Sequence, residues 1–109
     1  MPHITLKFSP EMRQAIYEGR KCCTTRSERK GKAGDTFVIG AREYRIIDVQ
    51  AHWLGEIRDT LFLLEGFDSP EAFEAFWSQH LGEYSELQVC YVHWFARIEE
   101  PVVAPEADA

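Results

Sequence analysis

The chain has 109 residues, 45% of them hydrophobic, and a formal net charge of −6. These values predict one folded domain with one core and exclude a largely disordered chain, and no apolar run is long enough for a membrane-spanning helix. The N-terminus lacks signal-peptide features, so we expect a cytoplasmic protein with one domain, residues 1–98, and an acidic, disordered tail, residues 99–109.

The first half of the chain is predicted to contain one helix and several strands. Ser9 followed by Pro10 is a helix-start signal, and the helix is expected to run from Pro10 to about Glu18 and to end at Gly19. Alternating or β-prone residues predict four extended segments: residues 3–8, 22–26, 36–40 and 42–54. The last of these is long enough to contain a bend or a bulge.

The second half is predicted to contain two helices and a closing strand. Asp59 or Thr60 can cap a short helix that ends at Gly66, and Ser69 repeats the helix-start signal. Three large side chains at helical spacing form the expected buried face of the second helix: Phe73, Phe76 and Trp77. Residues 87–98 predict the strand. Because no βαβ repeat is present, we predict an α+β fold with a small, partly open barrel of mostly antiparallel strands.

Charge is distributed unevenly along the chain. Residues 1–58 contain 11 Lys/Arg and 7 Asp/Glu, a balance of +4, whereas residues 59–109 contain 1 and 11, a balance of −10. Six of the twelve basic residues lie between Arg20 and Lys32. Such a cluster can attract an anionic ligand locally, although a solvated basic loop has the same composition.

Residues 19–26, GRKCCTTR, combine cations with hydroxyl groups. In an extended segment Lys21 shares a face with Thr25, while Thr24 points to the other face. Lys21 and Thr24 therefore face one site only if Lys21 lies in the preceding turn or the strand is bulged. A lysine whose pKa is lowered by burial or by neighbouring cations can activate a threonine hydroxyl as a nucleophile. The alternative is that these cations are ordinary surface charges at the end of a strand.

Glu65 is unusual because it precedes Gly66 at the expected C-terminal end of a helix, where the helix dipole disfavours a negative charge. It also follows four large apolar residues. We therefore expect a cationic partner for Glu65 from residues 19–26. A mildly unfavourable surface glutamate is the alternative.

The remaining cysteine, histidine and tryptophan residues favour structural roles, with one exception. The three cysteines form no Cys-x-x-Cys motif, so we interpret them as core residues, and no histidine stands at a metal-binding spacing from them, so we expect no metal and no cofactor. His93 lies in an apolar strand and is predicted to be a hydrogen-bonded core histidine. Trp53 is a candidate for stacking on a base.

Several landmarks together resemble the signature of ASCH domains, which are relatives of the PUA fold. The pattern Gly19-x-Lys21-x-x-x-x-Arg26 follows the first strand and helix. It is followed by Gly-Asp at 34–35, EGF at 65–67, SPEAFEAFW at 69–77 and VHWF at 92–95. The resemblance runs from about residue 5 to residue 95. Two features depart from it: cysteines occupy positions 22 and 23, and the second half of the chain is acidic.

The resemblance implies a small PUA-like, mostly antiparallel β-barrel with two or three flanking helices and a cleft that binds RNA or a modified nucleoside. One bacterial branch of these proteins deacetylates N(4)-acetylcytidine with a Lys–Thr–Glu set, which carries over to three catalytic candidates: Lys21, Thr24 and Glu65. The expected substrate-binding residues are Arg20, Arg26, Arg29 and Trp53. The alternative function is a non-catalytic RNA-binding module. We expect a monomer that does not associate with membranes.

Overall fold

The computed structural model describes residues 2–99. Three helices and four strands follow one another in the order α1 Pro10–Tyr17, β1 Cys23–Arg26, β2 Thr36–Ile39, β3 Arg42–Trp53, α2 Leu54–Leu61, α3 Pro70–His80 and β4 Val89–Arg97. Apart from its first residue, Glu99, the predicted tail lies outside the described residues. Within residues 2–99, no helix has the length and apolar character needed to cross a membrane.

The strands form one open sheet in the order β1-β4-β3-β2, and every neighbouring pair is antiparallel. The long ladder between β3 and β4 shifts its register between Ile46 and Asp48, so the predicted bulge is present. An α+β fold with a mostly antiparallel sheet is therefore confirmed. This order places β1 at one edge of the sheet, where its side chains can meet the helical segment between α2 and α3.

Two apolar clusters hold the helices on the sheet. The larger joins β1 and β4 to the three helices through nine buried residues: Met12, Cys23, Leu54, Ile57, Phe67, Phe73, Trp77, Cys90 and Val92. The second packs α1 and the N-terminal segment against β2 and β3, with Phe37 and Phe95 at its centre. Cys23 and Cys90 are fully buried free thiols, so the interpretation of these two cysteines as core residues is confirmed.

The helix starts agree with the sequence prediction. Ser9 caps α1 by accepting a hydrogen bond from the backbone N–H of Met12 at 3.2 Å. Ser69 caps α3 in the same way, with the N–H of Ala72 at 3.1 Å. Both serines satisfy a donor that the first turn of a helix leaves without a partner.

The predicted strand at residues 3–8 is wrong. This segment forms only an isolated parallel bridge between His3 and Thr36, although Leu6 is buried and Ile4 and Phe8 are partly buried, as the alternation predicted. The alternating pattern reports burial of one face, and it does not require a neighbouring strand to complete a ladder.

The predicted helix at residues 61–66 is also wrong in its position. Helix α2 begins directly after β3, at Leu54, because Leu54 and Ile57 are three residues apart and both are fully buried in the larger cluster. Residues 62–66 form the turn that follows. The backbone N–H of Glu65 donates to the carbonyl of Leu61 at 3.0 Å, so Glu65 still lies at the C-terminal end of helical structure.

Candidate functional site

The segment after α1 and the turn after α2 meet at Lys21 and Glu65. Gly19, with φ of 79°, ends α1, and the N–H of Lys21 donates to the carbonyl of Ala15 at 3.1 Å. Lys21 then forms an isolated antiparallel bridge with Glu65, and the N–H of Cys22 donates to the carbonyl of Leu64 at 2.9 Å. These backbone bonds fix the two segments side by side before any side-chain contact is considered.

Gly66 permits this close approach. Its φ is 97°, a conformation that other residues rarely adopt. A Cβ at this position would lie 3.1 Å from the Cβ of Ala15 and 3.2 Å from the Cβ of Lys21. The glycine of the EGF sequence therefore allows Glu65 to pack directly against the segment that follows α1.

Lys21 and Glu65 form a buried ion pair. The Lys21 Nζ lies 3.1 Å from Oε1 of Glu65 and 2.9 Å from its backbone carbonyl oxygen. The two side chains are only 4% and 2% exposed. The cationic partner that the position of Glu65 predicted is therefore Lys21. Because both charges are removed from water, each depends on the other for compensation.

Thr25 satisfies the second oxygen of the Glu65 carboxylate. The Thr25 hydroxyl donates a hydrogen bond to Oε2 of Glu65. Lys21 and Thr25 thus approach Glu65 from one face, as simple strand alternation requires. The sequence prediction selects Thr24 and misses Thr25. The signal for Thr25 is the alternation of side chains along an extended segment, which places Lys21 and Thr25 on the same face.

Thr24 contacts Arg26 instead. The Arg26 Nε donates to the Thr24 hydroxyl oxygen at 3.2 Å, and its Nη2 donates to the backbone carbonyl of Lys7 at 2.9 Å. The Arg26 guanidinium also lies over the Phe8 ring, 5.0 Å from its centroid. Burial lowers the pKa of Arg26 and the charge of Glu65 opposes this shift; arginine remains protonated. The Arg26 cation therefore lies against the hydroxyl oxygen of Thr24.

All of these polar groups line one cavity of about 330 Å³. Its polar wall contains Lys21, Thr24, Thr25, Arg26 and Glu65. Its remaining wall is largely apolar and includes Phe8, Met12, Phe67, Phe73, Phe76 and Trp77. A concave, apolar cavity with a few convergent polar groups is the usual form of a small-molecule site, and this volume accommodates a nucleobase.

Three of the predicted substrate-binding residues lie elsewhere. Arg20 pairs with the exposed Glu18 at 2.8 Å, and the Arg29 guanidinium lies 4.8 Å from the centroid of the Tyr91 ring. Trp53 is 53% exposed and lines a separate shallow groove at the far end of β3. None of the three lines the cavity, whereas Arg26, the fourth predicted substrate-binding residue, lines it together with Lys21.

His93 supports the strand beneath the site. It is fully buried, its Nε2 accepts a hydrogen bond from the backbone N–H of Lys30 at 2.9 Å, and its Nδ1 lies 3.2 Å from the carbonyl of Thr24. These contacts require a neutral ring with its proton on Nδ1. The prediction of a hydrogen-bonded core histidine is confirmed. Burial, together with the nearby charges of Arg26 and Arg29, lowers the pKa of His93.

The lowered pKa of His93 predicts that acid destabilises the fold. At pH values between the pKa of His93 in the folded protein and its value of about 6.5 in the unfolded chain, the unfolded chain binds more protons than the folded protein. The contribution of neutral His93 to stability is therefore complete above this pH range and is lost as the pH falls through it. We expect the free energy of unfolding to fall by up to about 1 kcal/mol per pH unit there. Urea unfolding at a series of pH values measures this slope.

The control is a histidine outside the core. His93→Gln is expected to reduce the slope, and the same substitution at the exposed His80 is expected to leave it unchanged. Equal slopes in the wild type and His93→Gln would show that His93 does not titrate between the two states.

The two cysteines next to Lys21 are held as thiols. Burial raises the pKa of the Cys23 thiol, so it remains protonated, and burial also raises the pKa of Cys22. The part of the chain from residue 2 to residue 99 contains no group of three or more His, Cys, Asp or Glu side chains arranged to hold a metal ion.

Comparison with known proteins identifies the fold. No protein-family model matches the chain, and no curated protein matches it. Among solved structures, the ASCH domain of Lactobacillus crispatus matches with a TM-score of 0.66, over 87% of this chain and 78% of that chain, at 14% sequence identity. The chain has the ASCH-domain fold.

A second solved structure agrees with this result. A DUF984 protein of Enterococcus faecalis matches with a TM-score of 0.61, over 90% of this chain and 80% of that chain, at 18% identity. The ASCH resemblance and the PUA-like α+β fold predicted from the sequence are therefore confirmed. At these identities the likeness shows the ASCH fold alone, and the activity of this chain depends on its own site.

Proposed function

We propose that this ASCH-fold protein hydrolyses the amide of an acylated nucleobase amine, with N(4)-acetylcytidine as the substrate. The observation that supports the proposal best is the convergence of a buried Lys21–Glu65 pair and the Thr24 hydroxyl on one cavity. Buried ionisable pairs beside a hydroxyl group in a cleft are the groups that amide hydrolysis by a nucleophile requires.

The cavity suits a flat, acceptor-rich ligand. Its aromatic wall can stack on a pyrimidine ring. The Glu65 carboxylate oxygens are already paired, whereas Lys21 has a third N–H and Thr24 has its hydroxyl proton, and neither has an acceptor among the described residues. These two donors therefore favour a ligand with carbonyl oxygens. The cytosine ring and the acetyl group of N(4)-acetylcytidine each present one.

The first chemical step makes Thr24 a nucleophile. In our mechanism, one proton moves from Nζ of Lys21 to Oε1 of Glu65, and the neutral amine then accepts the hydroxyl proton of Thr24. Lys21 and Thr24 do not bond directly, so this transfer uses a rotation of the lysine side chain or one bridging water. The Thr24 oxygen forms a bond to the acetyl carbonyl carbon, and the Arg26 cation stabilises both the alkoxide and the oxyanion that follows.

The second step releases the two products. The C–N bond of the tetrahedral intermediate breaks, Lys21 returns its proton to the exocyclic nitrogen, and cytidine leaves. The neutral Lys21 amine then takes a proton from water, and the water oxygen bonds to the acetyl carbon of the Thr24 ester. The C–O bond to Thr24 breaks, Lys21 returns this proton to the Thr24 oxygen, and acetic acid leaves. The proton on Oε1 of Glu65 returns to Nζ of Lys21 and restores the ion pair. Each proton that is taken up is returned, so no further reactant is needed.

The proposal is tested by incubating the purified protein with N(4)-acetylcytidine and measuring cytidine and acetate. We expect turnover by the wild type and at least about a hundredfold loss in Lys21→Ala, because the base is removed. Circular dichroism must show that the variant is folded at the assay temperature. Equal rates for the two proteins would refute the proposal.

Binding of RNA without turnover is the second candidate. It is favoured by exposed cations on the loop that follows β1, Arg29, Lys30 and Lys32, and by Lys7 at the cavity. Contacts with phosphates predict an affinity that falls steeply as salt is raised. Filter binding with single-stranded RNA at several salt concentrations measures this dependence. A weak or salt-independent affinity, together with turnover of the nucleoside, favours the hydrolase.

A further inference from the structure

Glu65 is held at both carboxylate oxygens, by two different side chains. Lys21 donates to Oε1, and the hydroxyl of Thr25 donates to Oε2. All three residues are buried, with Thr25 only 4% exposed. The proposed mechanism uses Lys21, Glu65 and Thr24, and leaves this second hydroxyl without a role.

We infer that Thr25 is a positioning residue that orients the Glu65 carboxylate and thereby aims Lys21 at the cavity. The effect on catalysis rests on the proposed function, whereas the effect on the ion pair does not. The Thr25 hydroxyl occupies Oε2 of Glu65, which leaves Oε1 to Lys21, and the Lys21 Nζ is also held by the backbone carbonyl of Glu65.

The backbone of Thr25 does not need this hydroxyl. Thr25 pairs with Val92 in the ladder between β1 and β4, and these ladder contacts involve main-chain atoms only. Valine has the same branched shape and a similar preference for strands. Thr25→Val therefore removes one donor and leaves a buried carboxylate oxygen without a partner, while the strand retains its ladder.

Other charged or titratable groups around Glu65 must be considered in any pH experiment. They come from the segment of β1 and from the end of α3, and comprise Lys21, Cys22, Cys23, Arg26 and His80. Thr25→Val alters none of them directly. A shift in the pH profile of this variant therefore reports on the Glu65 carboxylate and its partner Lys21.

The test compares Thr25→Val and Thr25→Ser in the deacetylation assay. With Val, we expect kcat to fall about tenfold to a hundredfold, because a misaligned base costs this much, with KM changed less than about twofold. The pH dependence of kcat also changes, because the Oε2 atom of Glu65 loses its hydrogen-bond donor. Serine, which keeps the hydroxyl, restores both kcat and its pH dependence.

The matched control is Thr36→Val. Thr36 is another buried strand threonine whose hydroxyl lies within hydrogen-bond distance of a neighbour, here Nδ1 of His3 at 3.1 Å, and it is absent from the cavity lining. We expect no change in kcat or in the pH profile. If Thr25→Val lowers stability but leaves the pH profile unchanged, Thr25 is structural and the inference is wrong.

A measurement that needs no turnover separates this inference from the proposed function. The side-chain 15Nζ signal of Lys21 in NMR spectra reports its pairing with Glu65. We expect this signal to move in Thr25→Val and to return in Thr25→Ser, even if the wild type does not deacetylate N(4)-acetylcytidine. An unmoved signal in Thr25→Val overturns the positioning role, whereas absent turnover with a moved signal overturns only the proposed reaction.

Discussion

Replacing Lys21 with methionine is expected to lower the free energy of unfolding by about 3–5 kcal/mol. The ammonium lies 3.1 Å from a Glu65 carboxylate that is almost completely buried. Methionine fills a similar volume but leaves the Glu65 carboxylate with an uncompensated charge. The backbone carbonyl of Glu65 also loses the hydrogen bond that Nζ of Lys21 donates. Urea unfolding at near-neutral pH, followed by circular dichroism, measures the loss.

Two further variants separate the buried charge from the loss of an ion pair in general. Arg20→Met breaks the exposed pair with Glu18 and the bond from Arg20 to the carbonyl of Gly66 at 3.3 Å. Because water solvates both of these side chains, we expect a much smaller loss than in Lys21→Met. The double variant Lys21→Met with Glu65→Leu removes both charges and is expected to recover most of the loss, because an apolar replacement needs no compensation. A loss in Lys21→Met no larger than that in Arg20→Met would contradict a buried pair.

The signals in the sequence that proved correct are local ones. Ser9 and Ser69 start helices because a serine hydroxyl can cap the helix that follows it, whatever the rest of the chain does. The bulge in β3 was also expected, since a strand of twelve residues is rarely regular throughout. Such features depend on neighbours within a few residues, so they can be read from one sequence.

The incorrect predictions depended on tertiary contacts. Residues 3–8 alternate like a strand, but only His3 finds a bridging partner, and the alternation instead records which side chains reach the core. The β-prone run before Leu54 predicts a strand there, yet Leu54 is buried together with Ile57 and is the first residue of α2. The sequence pattern alone does not indicate the residue at which a strand ends and the chain continues into the core as a helix.

The site was predictable in part for the same reason. The position of Glu65 at the C-terminal end of helical structure predicted a cationic partner, and the family resemblance indicated Lys21. The structure places Lys21 against Glu65. The threonine in contact with Glu65 is Thr25, because a regular strand alternates, whereas the resemblance pointed to Thr24. Trp53 lines a different groove, because it pairs with Val89, outside the stretch of β4 that pairs with β1.

Replacing Thr24 with valine is expected to reduce kcat/KM for N(4)-acetylcytidine by at least about a thousandfold, because the proposed nucleophile is removed. Valine preserves the shape and the strand, and the Arg26 guanidinium keeps its bond to the carbonyl of Lys7. Binding of the product cytidine, measured by calorimetry, is therefore expected to change by less than about tenfold. Thr24→Ser, which keeps a hydroxyl, is expected to remain active.

The comparison of Thr24→Val with Thr25→Val decides which hydroxyl reacts. We expect loss of the nucleophile to reduce activity by about a thousandfold and loss of the positioning residue to reduce it by at most about a hundredfold. In addition, only the nucleophile carries the acetyl group during turnover. Mass spectrometry of protein quenched during turnover locates that group. Acetyl on Thr24 fits the proposed mechanism, in which Lys21 takes the Thr24 proton and Arg26 stabilises the resulting alkoxide. Acetyl on Thr25, together with the larger loss in Thr25→Val, would exchange the two roles and make the Glu65–Thr25 contact the catalytic one.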